Sequence, residues 1–555
     1  MKIFYCDSNS TLPSDLNNTL ILTPDYYGTS YTYLWDDYDF KTTFKAFLFF
    51  KNKKHSLGQI KLLFKGINNS HDYIKKSFKE SKRSNLYKIN KAGDNPFISL
   101  GEKLEYYNKL NIIIKNKSTV RILLSNLCDA SYLIAQKNDY SQWPGFSESL
   151  LRDASESSIL QHGFPTANGT YEKLTIFDLE THLSEESRIN FHFNTKDPLN
   201  GRINILVGKN GQGKTKTLQS LTNDFLSLNN KSVNLPFRTK LIVVSFSPFE
   251  NFLSEKEAFE KRRSNFESHL DYSEEEKKER SERSDYINGY SYIGLKSDES
   301  RIDFENARHK SAIAILESIL DDRENGWSRN FERFELIFKT LKLAIDFKEI
   351  AIRLNSGEVI KTIELPEFAS KFSSMSELDK PKLEIVLLSV QNQPMNLSSG
   401  QEIYSLMIPQ IANEIVNESI ILIDEPELYL HPELEVGLIS MLDLILRETL
   451  SFAIIATHSA IIVREVRSKY VNVIRGNCEV IKPEIETFGG SLDTITGYVF
   501  NDYNKRKPFQ ELIEKLITSE KFKSPQEAIE NLSKSVGDEA LTYLYQLKRQ
   551  ENSND

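Results

Sequence analysis

The chain has 555 residues, of which 39% are hydrophobic and 27% are charged, and its formal net charge is −8. This balance indicates a globular protein with a large core, and the length suggests roughly three or four domain-sized pieces. It excludes a disulfide framework, because the three cysteines are far apart, and a transmembrane protein, because no stretch approaches the ~18 continuous apolar residues of a membrane span.

The N-terminus, MKIFYCDSNS, lacks the apolar h-region of a secretory signal, so we expect a cytoplasmic protein with no membrane partner. Residues 1–165 precede any recognisable chemistry and are predicted to form an N-terminal α+β module that is rich in strands. The run FKTTFKAFLFF at 40–50 is β-branched and aromatic, KNKKHS is a polar break, and LGQIKLLFK continues the pattern. This arrangement predicts two strands in a hairpin.

Basic residues are concentrated in one part of this module. Residues 41–117 carry 18 Lys+Arg against 5 Asp+Glu, a local charge of +13, together with many aromatic side chains. Such a surface could follow a phosphate backbone and offer rings for stacking, which makes DNA a candidate partner. Solvated lysines on an amphipathic sheet explain the same pattern without a ligand.

The pattern changes from Tyr171, where residues 166–250 are predicted to form the first lobe of an α/β core. The runs KLTIFDLETHL and INFHFN are typical of antiparallel strands, and INILVG is an apolar strand that leads into a glycine-rich turn. A helix follows with apolar residues on one face, and KLIVVSF predicts another buried strand.

The glycine-rich turn GKNGQGKT matches G-x-x-x-x-G-K-[ST] between a predicted strand and a predicted helix. Its glycines allow backbone N–H groups to face the β-phosphate of a nucleotide, and the positive end of the helix adds to that field. Lys214 would bridge the β- and γ-phosphates, and Thr215 would place its hydroxyl on Mg²⁺. The predicted ATP-binding residues of this turn are Gly208, Asn210, Gly211, Gly213, Lys214, Thr215 and Lys216.

Residues 251–392 interrupt the core and are predicted to form a mainly helical insertion. The stretch at 254–285, SEKEAFEKRRSNFESHLDYSEEEKKERSERSD, mixes both signs of charge, which indicates either a solvated helical excursion or a flexible loop. Helical periodicity returns at HKSAIAILESIL and NFERFELIFKTLKLAI.

Residues 393–500 are predicted to complete the core, because SIILID and FAIIATHS are apolar strands separated by a helix. Such strands predict a parallel sheet covered on both faces, so their carboxyl ends lie at one edge. There Asp424 would hold the magnesium shell, and Glu425 would polarise the attacking water. Two adjacent acids that end a buried strand are costly without a cation. His458 ends the next strand and is predicted to sense the γ-phosphate.

The segment LSSGQ at 397–401 precedes a predicted helix whose unpaired N-terminal N–H groups are accessible to an anion, because the residues there are small. Within one subunit the phosphates are already held by the glycine-rich turn. We therefore expect Ser398, Gly400 and Gln401 to bind the γ-phosphate of a second copy. Two copies would form an ATP-dependent head-to-tail dimer, or part of a higher oligomer, that reopens after hydrolysis.

Residues 501–555 are predicted to form a C-terminal helical tail. The run SPQEAIENL opens a helix with Ser524 as N-cap, Pro525 at the first position and Glu527 at the third.

These motifs resemble the ABC-type ATPase superfamily, and more closely its SMC/RecF/OLD-like branch. The resemblance covers about residues 170–250 and 395–465: GKNGQGKT is similar to that branch's G-x-N-G-x-G-K-[ST], LSSGQ to the ABC signature, and DEPELYLHP to its extended Walker B motif. It implies a P-loop ABC-type core that includes an antiparallel β-subdomain, with Glu425 as catalytic residue and His458 as switch histidine.

One departure from the family concerns the cation. ABC proteins usually carry a glutamine after the strand that follows the phosphate-loop helix, and VVSFSPFENF contains none. Ser245 or Ser247 would have to take its place.

A further resemblance concerns biological role. The WDDYDFKTTF region, SFSPFENF, SYIGL at 291–295 and ETFGGS at 486–491 are similar to stand-alone ATPases of bacterial antiphage systems, such as Septu-like subunits. This resemblance implies a sensor or regulatory subunit that controls a separately encoded effector such as a nuclease. The chain itself shows no H-N-H arrangement, and residues 465–555 show no D-x-D cluster.

Two other functions remain open from the sequence. One is a RecF/SMC-like ATPase of DNA repair or chromosome maintenance, in which residues 41–117 would form the DNA-clamping surface. The other, the motor subunit of a membrane transporter, fits less well because of the long insertion and the large N-terminal module.

Overall fold

The computed structural model describes two compact units, Met1–Gly490 and Ser491–Asp555. Parts of several sequence features lie outside the described residues: 35–39 of the WDDYDFKTTF region, 248–250 of SFSPFENF, 268–285 of the charged stretch, and Cys478. The described residues are 1–7, 16–27, 33–34, 40–78, 86–90, 96–134, 139–151, 156–183, 187–228, 239–247, 251–267, 289–296, 302–476, 479–500, 507–518, 522 and 524–554.

The N-terminal region is built on a six-stranded sheet with helices packed against it. Its strands are β1 (Lys2–Cys6), β2 (Thr19–Pro24), β5 (Thr43–Phe50), β6 (Lys53–Phe64), β7 (Leu86–Lys88) and β8 (Phe97–Gly101), with a separate pair formed by β3 (Tyr26–Tyr27) and β4 (Tyr33–Leu34). Its helices are α1 (Ser70–Ser77), α2 (Leu104–Ile114), α3 (Lys117–Asn126), α4 (Ala130–Leu133) and α5 (Glu156–Ala167). The strand order is β7-β1-β2-β5-β6-β8.

The predicted hairpin is present as β5 and β6, which pair in antiparallel register with Phe50 opposite Lys53. The two linking residues, Lys51 and Asn52, have positive φ of 50° and 61°. Positive φ at both central residues is the geometry of a tight two-residue turn.

A second sheet of seven strands forms the core of the remaining part of the first unit. Its strands are β11 (Ile203–Gly208), β12 (Leu241–Ser245), β13 (Tyr290–Gly294), β17 (Ile420–Asp424), β18 (Phe452–Thr457), β19 (Val471–Arg475) and β20 (Glu479–Ile481). The order is β13-β12-β17-β18-β11-β19-β20, and all pairs are parallel except β19 with β20. Every residue of β11, β12, β17 and β18 is buried.

Both faces of this sheet are covered. One face is covered by helix α6 (Lys214–Phe225) and by the antiparallel pair β9 (Ile176–His182) and β10 (Arg188–Asn194). Their apolar side chains pack in one hydrophobic cluster with every second residue of the core-sheet strands. Successive strand residues point to opposite faces, and the intervening residues are buried as well. Helices α11 (Ser399–Glu414) and α12 (Pro432–Glu448) contact β12 and β18. The predicted α/β fold class is confirmed, including the parallel sheet and the antiparallel pair.

The segment predicted as a mainly helical insertion contains helices and strands. Its helices are α7 (Glu255–Glu267), α8 (Phe304–Asn325), α9 (Arg333–Lys342) and α10 (Leu365–Ser373), and its three-stranded antiparallel sheet comprises β14 (Glu349–Leu354), β15 (Val359–Lys361) and β16 (Leu383–Leu388). Strand β13 also lies in this segment, and it extends the core sheet in parallel beside β12. None of these four strands was predicted from the sequence.

The insertion is bonded to helix α11 near both ends of the helix and at its middle. Arg308 pairs with Glu402 in the first turn of α11, and Arg333 donates to the carbonyls of Ala412 and Ile415 near its end. In between, Pro409 cannot donate to the Ser405 carbonyl, four residues earlier. The hydroxyl of Ser311 in α8 donates to that carbonyl at 2.9 Å. The insertion therefore supplies the hydrogen bond that the proline removes from α11.

A short helix, α13 (Ala460–Arg464), follows β18 and completes the first unit. The second unit consists of α14 (Leu492–Phe500), α15 (Pro508–Thr518), α16 (Pro525–Leu532) and α17 (Asp538–Asn554). The predicted N-cap is present, because Ser524 accepts from the Glu527 amide at 3.3 Å. Within the described residues, no helix is both long and apolar enough to cross a membrane.

Candidate nucleotide site

The predicted phosphate loop lies where β11 ends and α6 begins, at the carboxyl edge of the core sheet. Gly211 and Gly213 have φ of 78° and 98°, which only glycine adopts without strain. A Cβ on Gly208 would lie 2.9 Å from the Ile474 carbonyl oxygen, so this position also requires a missing side chain. The Gln212 side chain accepts from the Lys209 amide at 2.7 Å and closes the turn.

This loop lines a cavity of about 660 Å³, a size typical of small-molecule sites. Most of the predicted residues meet there, since the lining residues are Asn210, Gly211, Gly213, Lys214, Thr215, Lys216, Glu425, Glu427, Leu428 and His458. Gly208 does not line the cavity, but its carbonyl accepts from Lys214 Nζ at 3.3 Å.

Lys214 is buried at the start of α6 and contacts His458 Nε2 through its Nζ. Burial lowers the pKa of the Lys214 ammonium, and the nearby carboxylates of Glu425 and Asp424 oppose that shift. Burial also lowers the pKa of the His458 imidazole, as does Lys214. The neutral imidazole is therefore favoured, which allows His458 to accept from Lys214.

The residues at the end of β17 and β12 fit a divalent cation. Thr215 Oγ1 donates to Asp424 Oδ2 at 2.9 Å, and burial raises the pKa of Asp424 to about 7. Asp424 Oδ1 and Ser245 Oγ are both buried and have no hydrogen-bond partner among the described residues. Ser245 is paired with Asp424 in the sheet register, which places the two side chains on one face.

Mg²⁺ suits this arrangement because it commonly takes one or two protein ligands and completes its shell with phosphate and water. In the part of the chain that the structure describes, no three His, Cys, Asp or Glu side chains form a metal site by themselves. Thr215 and Asp424 would hold the ion with the nucleotide, and Ser245 is the serine whose register places it beside them.

Glu425 has a left-handed backbone, with φ 47° and ψ 54°, and its amide donates to the Ala456 carbonyl at 2.9 Å. A non-glycine residue in this region is strained, and such strain is concentrated at functional sites. Its Oε1 lies 3.6 Å from His458 Nε2. The predicted catalytic pair therefore meets at the cavity, although the roles of both residues stay predictions.

Glu427, which lines the cavity together with Glu425, was not predicted from the sequence. Its Oε1 accepts from the His458 amide, it also bonds with the Thr457 side chain, and its buried Oε2 has no partner within the described residues. Burial raises the pKa of the Glu427 carboxyl. The signal was present in DEPELYLHP, where this acid follows Glu425 by two positions.

The segment LSSGQ lies apart from this cavity. Ser398 is the N-cap of α11, where its hydroxyl accepts from the Gln401 amide at 3.4 Å and the Gln401 side chain accepts from the Ser398 amide at 3.0 Å. Ser398 and Ser399 are exposed, whereas Gly400 is buried. Of the residues described, the cavity lining includes none of the LSSGQ segment. The prediction that this segment binds a nucleotide held by a second copy stays a prediction.

Comparison with known proteins gives the following relatives. No family model matches the chain. Protein ea59 of Escherichia phage lambda is 26% identical over 547 residues, and the match covers 92% of each chain.

Solved structures match with low scores. The ADP conformation of MJ1267, an ATP-binding cassette of an ABC transporter, has a TM-score of 0.25 and 12% identity, with 59% of this chain and 96% of that chain covered. The cbiO1 protein from Clostridium perfringens has a TM-score of 0.23 and 14% identity, with 62% of this chain and 96% of that chain covered. UvrA2 from Deinococcus radiodurans has a TM-score of 0.23 and 13% identity, with 57% of this chain and 38% of that chain covered.

Proposed function

We propose that the chain is an ABC-type ATPase that binds and hydrolyses ATP with Mg²⁺. The observation that carries this proposal is the convergence of four features at one sheet edge. The positive-φ glycine loop, the buried Lys214, Thr215 and the strained Glu425 line one cavity, and Asp424 is joined to it by its hydrogen bond with Thr215. Phosphoryl transfer depends on such positioned charges far more than on covalent chemistry.

Each of these groups has a defined task in this proposal. The loop amides and Lys214 bind the phosphates, and the cation, when bound, neutralises charge on the β- and γ-phosphates. Glu425 accepts the proton of the attacking water, and its half-buried side chain lines the cavity. His458 lies beside both Lys214 and Glu425, so it is placed to contact the γ-phosphate.

The proposed assembly is a head-to-tail dimer. It is supported by the exposed serines of LSSGQ at the amino end of α11 and by their separation from their own cavity. A second copy would bring this helix end, with its partial positive charge, to the γ-phosphate. Closure of the dimer would then depend on ATP.

A test of this function is the variant Glu425→Gln, which keeps shape and removes the base. We expect ATP affinity within about twofold of the wild type, as measured with a fluorescent nucleotide, because glutamine keeps the size of the side chain and the oxygen that lies 3.6 Å from His458 Nε2. Turnover should fall by about 10² to 10⁴, the usual contribution of a general base. Light scattering should show ATP-stabilised dimers. Exposed Glu433, changed to Gln, is the matched control. Normal turnover in Glu425→Gln would remove the residue from its proposed role.

We further propose that this ATPase acts as the sensor or regulatory subunit of a bacterial antiphage system of the SMC/RecF/OLD-like type. This step is supported by the sequence resemblance alone. Purification of the chain alone and with the product of the neighbouring gene provides the test. DNA cleavage by the isolated chain in Mg²⁺ or Mn²⁺ would reject a separately encoded nuclease.

The alternative of a DNA-clamping ATPase is favoured by one observation. Lys51, Lys53 and Lys54 are exposed around the β5–β6 turn, whereas Lys61 and Lys109 are buried and bonded within the chain. Reversal of the three exposed charges should abolish ATP-dependent, salt-sensitive DNA binding if this function is correct. Unchanged binding would exclude the turn as the DNA surface.

A further inference from the structure

The segment Thr457–Ser459, at the end of β18, carries the imidazole of the site and is held by side chains from other elements. On one side Glu427, in the short 3₁₀ turn Pro426–Tyr429, accepts from the His458 amide and bonds with the Thr457 side chain. On the other side the Ser459 hydroxyl donates to Glu435 of α12. These contacts fix the backbone on both sides of the histidine.

The contact with Glu427 has a consequence for the geometry of the cavity. His458 Nε2 contacts Lys214 Nζ and lies 3.6 Å from Glu425 Oε1. Glu425 and Glu427 are separated by a single proline. The predicted base therefore directly precedes the turn whose Glu427 side chain bonds with the backbone of His458. A shift of one would therefore be transmitted to the other.

Glu427 holds the His458 amide at a cost to the stability of the fold. Glu427 Oε2 is buried without a hydrogen-bond partner in the part of the chain described, and the side chain shares a cavity with the Glu425 carboxylate. An unpaired buried oxygen and a second nearby acid both oppose folding. This cost indicates that Glu427 is kept for its contact with the His458 amide and not for the stability of the fold.

We propose that Glu427 is a positioning residue, which holds the backbone of His458 so that its imidazole stays between Lys214 and Glu425. The positional part stands on the contacts alone. The effect on turnover rests on the proposed ATPase function.

Two substitutions separate the acceptor from the charge. Glu427→Gln keeps an oxygen that accepts from the His458 amide, whereas Glu427→Ala removes it. Exposed Glu433→Ala, on the neighbouring helix α12, is the control. Hydrogen exchange of the peptide that covers β18 and His458 reports the backbone directly, and an unfolding curve for each variant shows that the fold persists.

We expect amide exchange at His458 to rise about tenfold or more in Glu427→Ala and to remain near the wild-type rate in Glu427→Gln and in the control. ATP turnover in Glu427→Ala should fall by about tenfold to a hundredfold, with KM unchanged, because the reacting groups are misplaced after binding. Glu427→Gln should restore at least half of the lost rate.

The possible failures are distinguishable. Unchanged exchange in Glu427→Ala would overturn the proposal, and so would an equal loss of turnover in both Glu427 variants, since that would assign the effect to charge instead of position. If exchange follows the expectation but the wild-type protein hydrolyses no ATP, the positioning contact stands and the ATPase function fails.

Discussion

Replacement of Gly400 by alanine is expected to destabilise the protein, for a reason that is visible in the packing of α11. Gly400 is the second residue of this helix and is buried. An added Cβ would lie 2.6 Å from Leu434 Cδ1, 3.0 Å from the Tyr429 carbonyl oxygen and 3.4 Å from Leu430 Cδ2. The leucine methyls can turn away, but the carbonyl belongs to the 3₁₀ turn that follows the predicted catalytic acid.

The size of the effect follows from two opposing contributions. Overpacking of this kind costs about 1–3 kcal/mol. The gain in helix propensity from glycine to alanine is at most about 1 kcal/mol. Because the Tyr429 carbonyl cannot turn away, the upper part of the overpacking range, about 2–3 kcal/mol, applies, and subtraction of about 1 kcal/mol leaves an expected net loss of unfolding free energy of about 1–2 kcal/mol. Gly437 in α12 provides a matched control, because a Cβ there lies 3.6 Å from Ala344 Cβ, an ordinary contact. Gly437→Ala should stabilise the protein by about 0.5–1 kcal/mol.

Urea unfolding of the two variants measures both signs in one experiment. The midpoint should fall for Gly400→Ala and rise for Gly437→Ala, with the slope unchanged in each case. If Gly400→Ala is as stable as the wild type, the packing argument is wrong. The glycine at position 400 would then be explained only by the predicted access of a second copy's γ-phosphate to the start of α11.

Three other perturbations have expected outcomes. Ser398→Arg should abolish ATP turnover while a fluorescent nucleotide still binds to single subunits, because a long cation at the helix start blocks the proposed dimer. Ser245→Ala should weaken Mn²⁺ binding in the presence of nucleotide about tenfold, as measured by electron paramagnetic resonance, and leave nucleotide affinity in EDTA unchanged. Lys240→Met should change how the stability of the fold depends on pH, because Lys240 is paired with Glu414. Burial alone would raise the pKa of the Glu414 carboxyl, but Lys240 and Ser291 hold this pKa at about 2. The pair therefore stabilises the fold above the ordinary value of 4.5 and loses this contribution as pH falls toward 2. Urea unfolding between pH 3 and 7 should show a loss of about 1 kcal/mol at pH 7 in the variant, since a third of the Glu414 side chain is exposed.

Each of these has a control and a contrary outcome. Ser398→Ala removes the helix cap, which costs about 1 kcal/mol, without adding a charge. Survival of turnover in Ser398→Arg would therefore reject the trans arrangement. Equal Mn²⁺ affinity in Ser245→Ala would remove that serine from the cation site. Parallel pH profiles of wild type and Lys240→Met would show that the ion pair does not act on Glu414.

The core strands were predictable because both of their faces are buried. INILVG and SIILID are continuous apolar runs beside sequence motifs, and they form β11 and β17. The hairpin at 43–64 and the Ser524 cap depend on local sequence alone, and they are present as well. Local sequence therefore determined the strands next to the predicted chemistry.

Features that depend on distant residues were not predictable. Strand β13 pairs with β12 across more than forty residues of chain, which include a charged stretch, so no local periodicity reveals that it joins the core sheet. The sequence around Glu427 is typical of a surface acid in a short turn. Its carboxyl is partly buried because the end of β18 lies beside it in the fold. The contact of Gly400 with the Tyr429 carbonyl likewise joins two segments thirty residues apart.

The proline of α11 divides that helix into two parts with different attachments. The amino-terminal part carries the exposed serines. The carboxyl-terminal part accepts hydrogen bonds from Arg333 at the carbonyls of Ala412 and Ile415. At the joint, the only hydroxyl described as donating to the Ser405 carbonyl comes from Ser311 of the insertion. A protein or ligand that displaces α8 would thus act on this joint, and the angle of the half that carries LSSGQ would depend on events in the insertion.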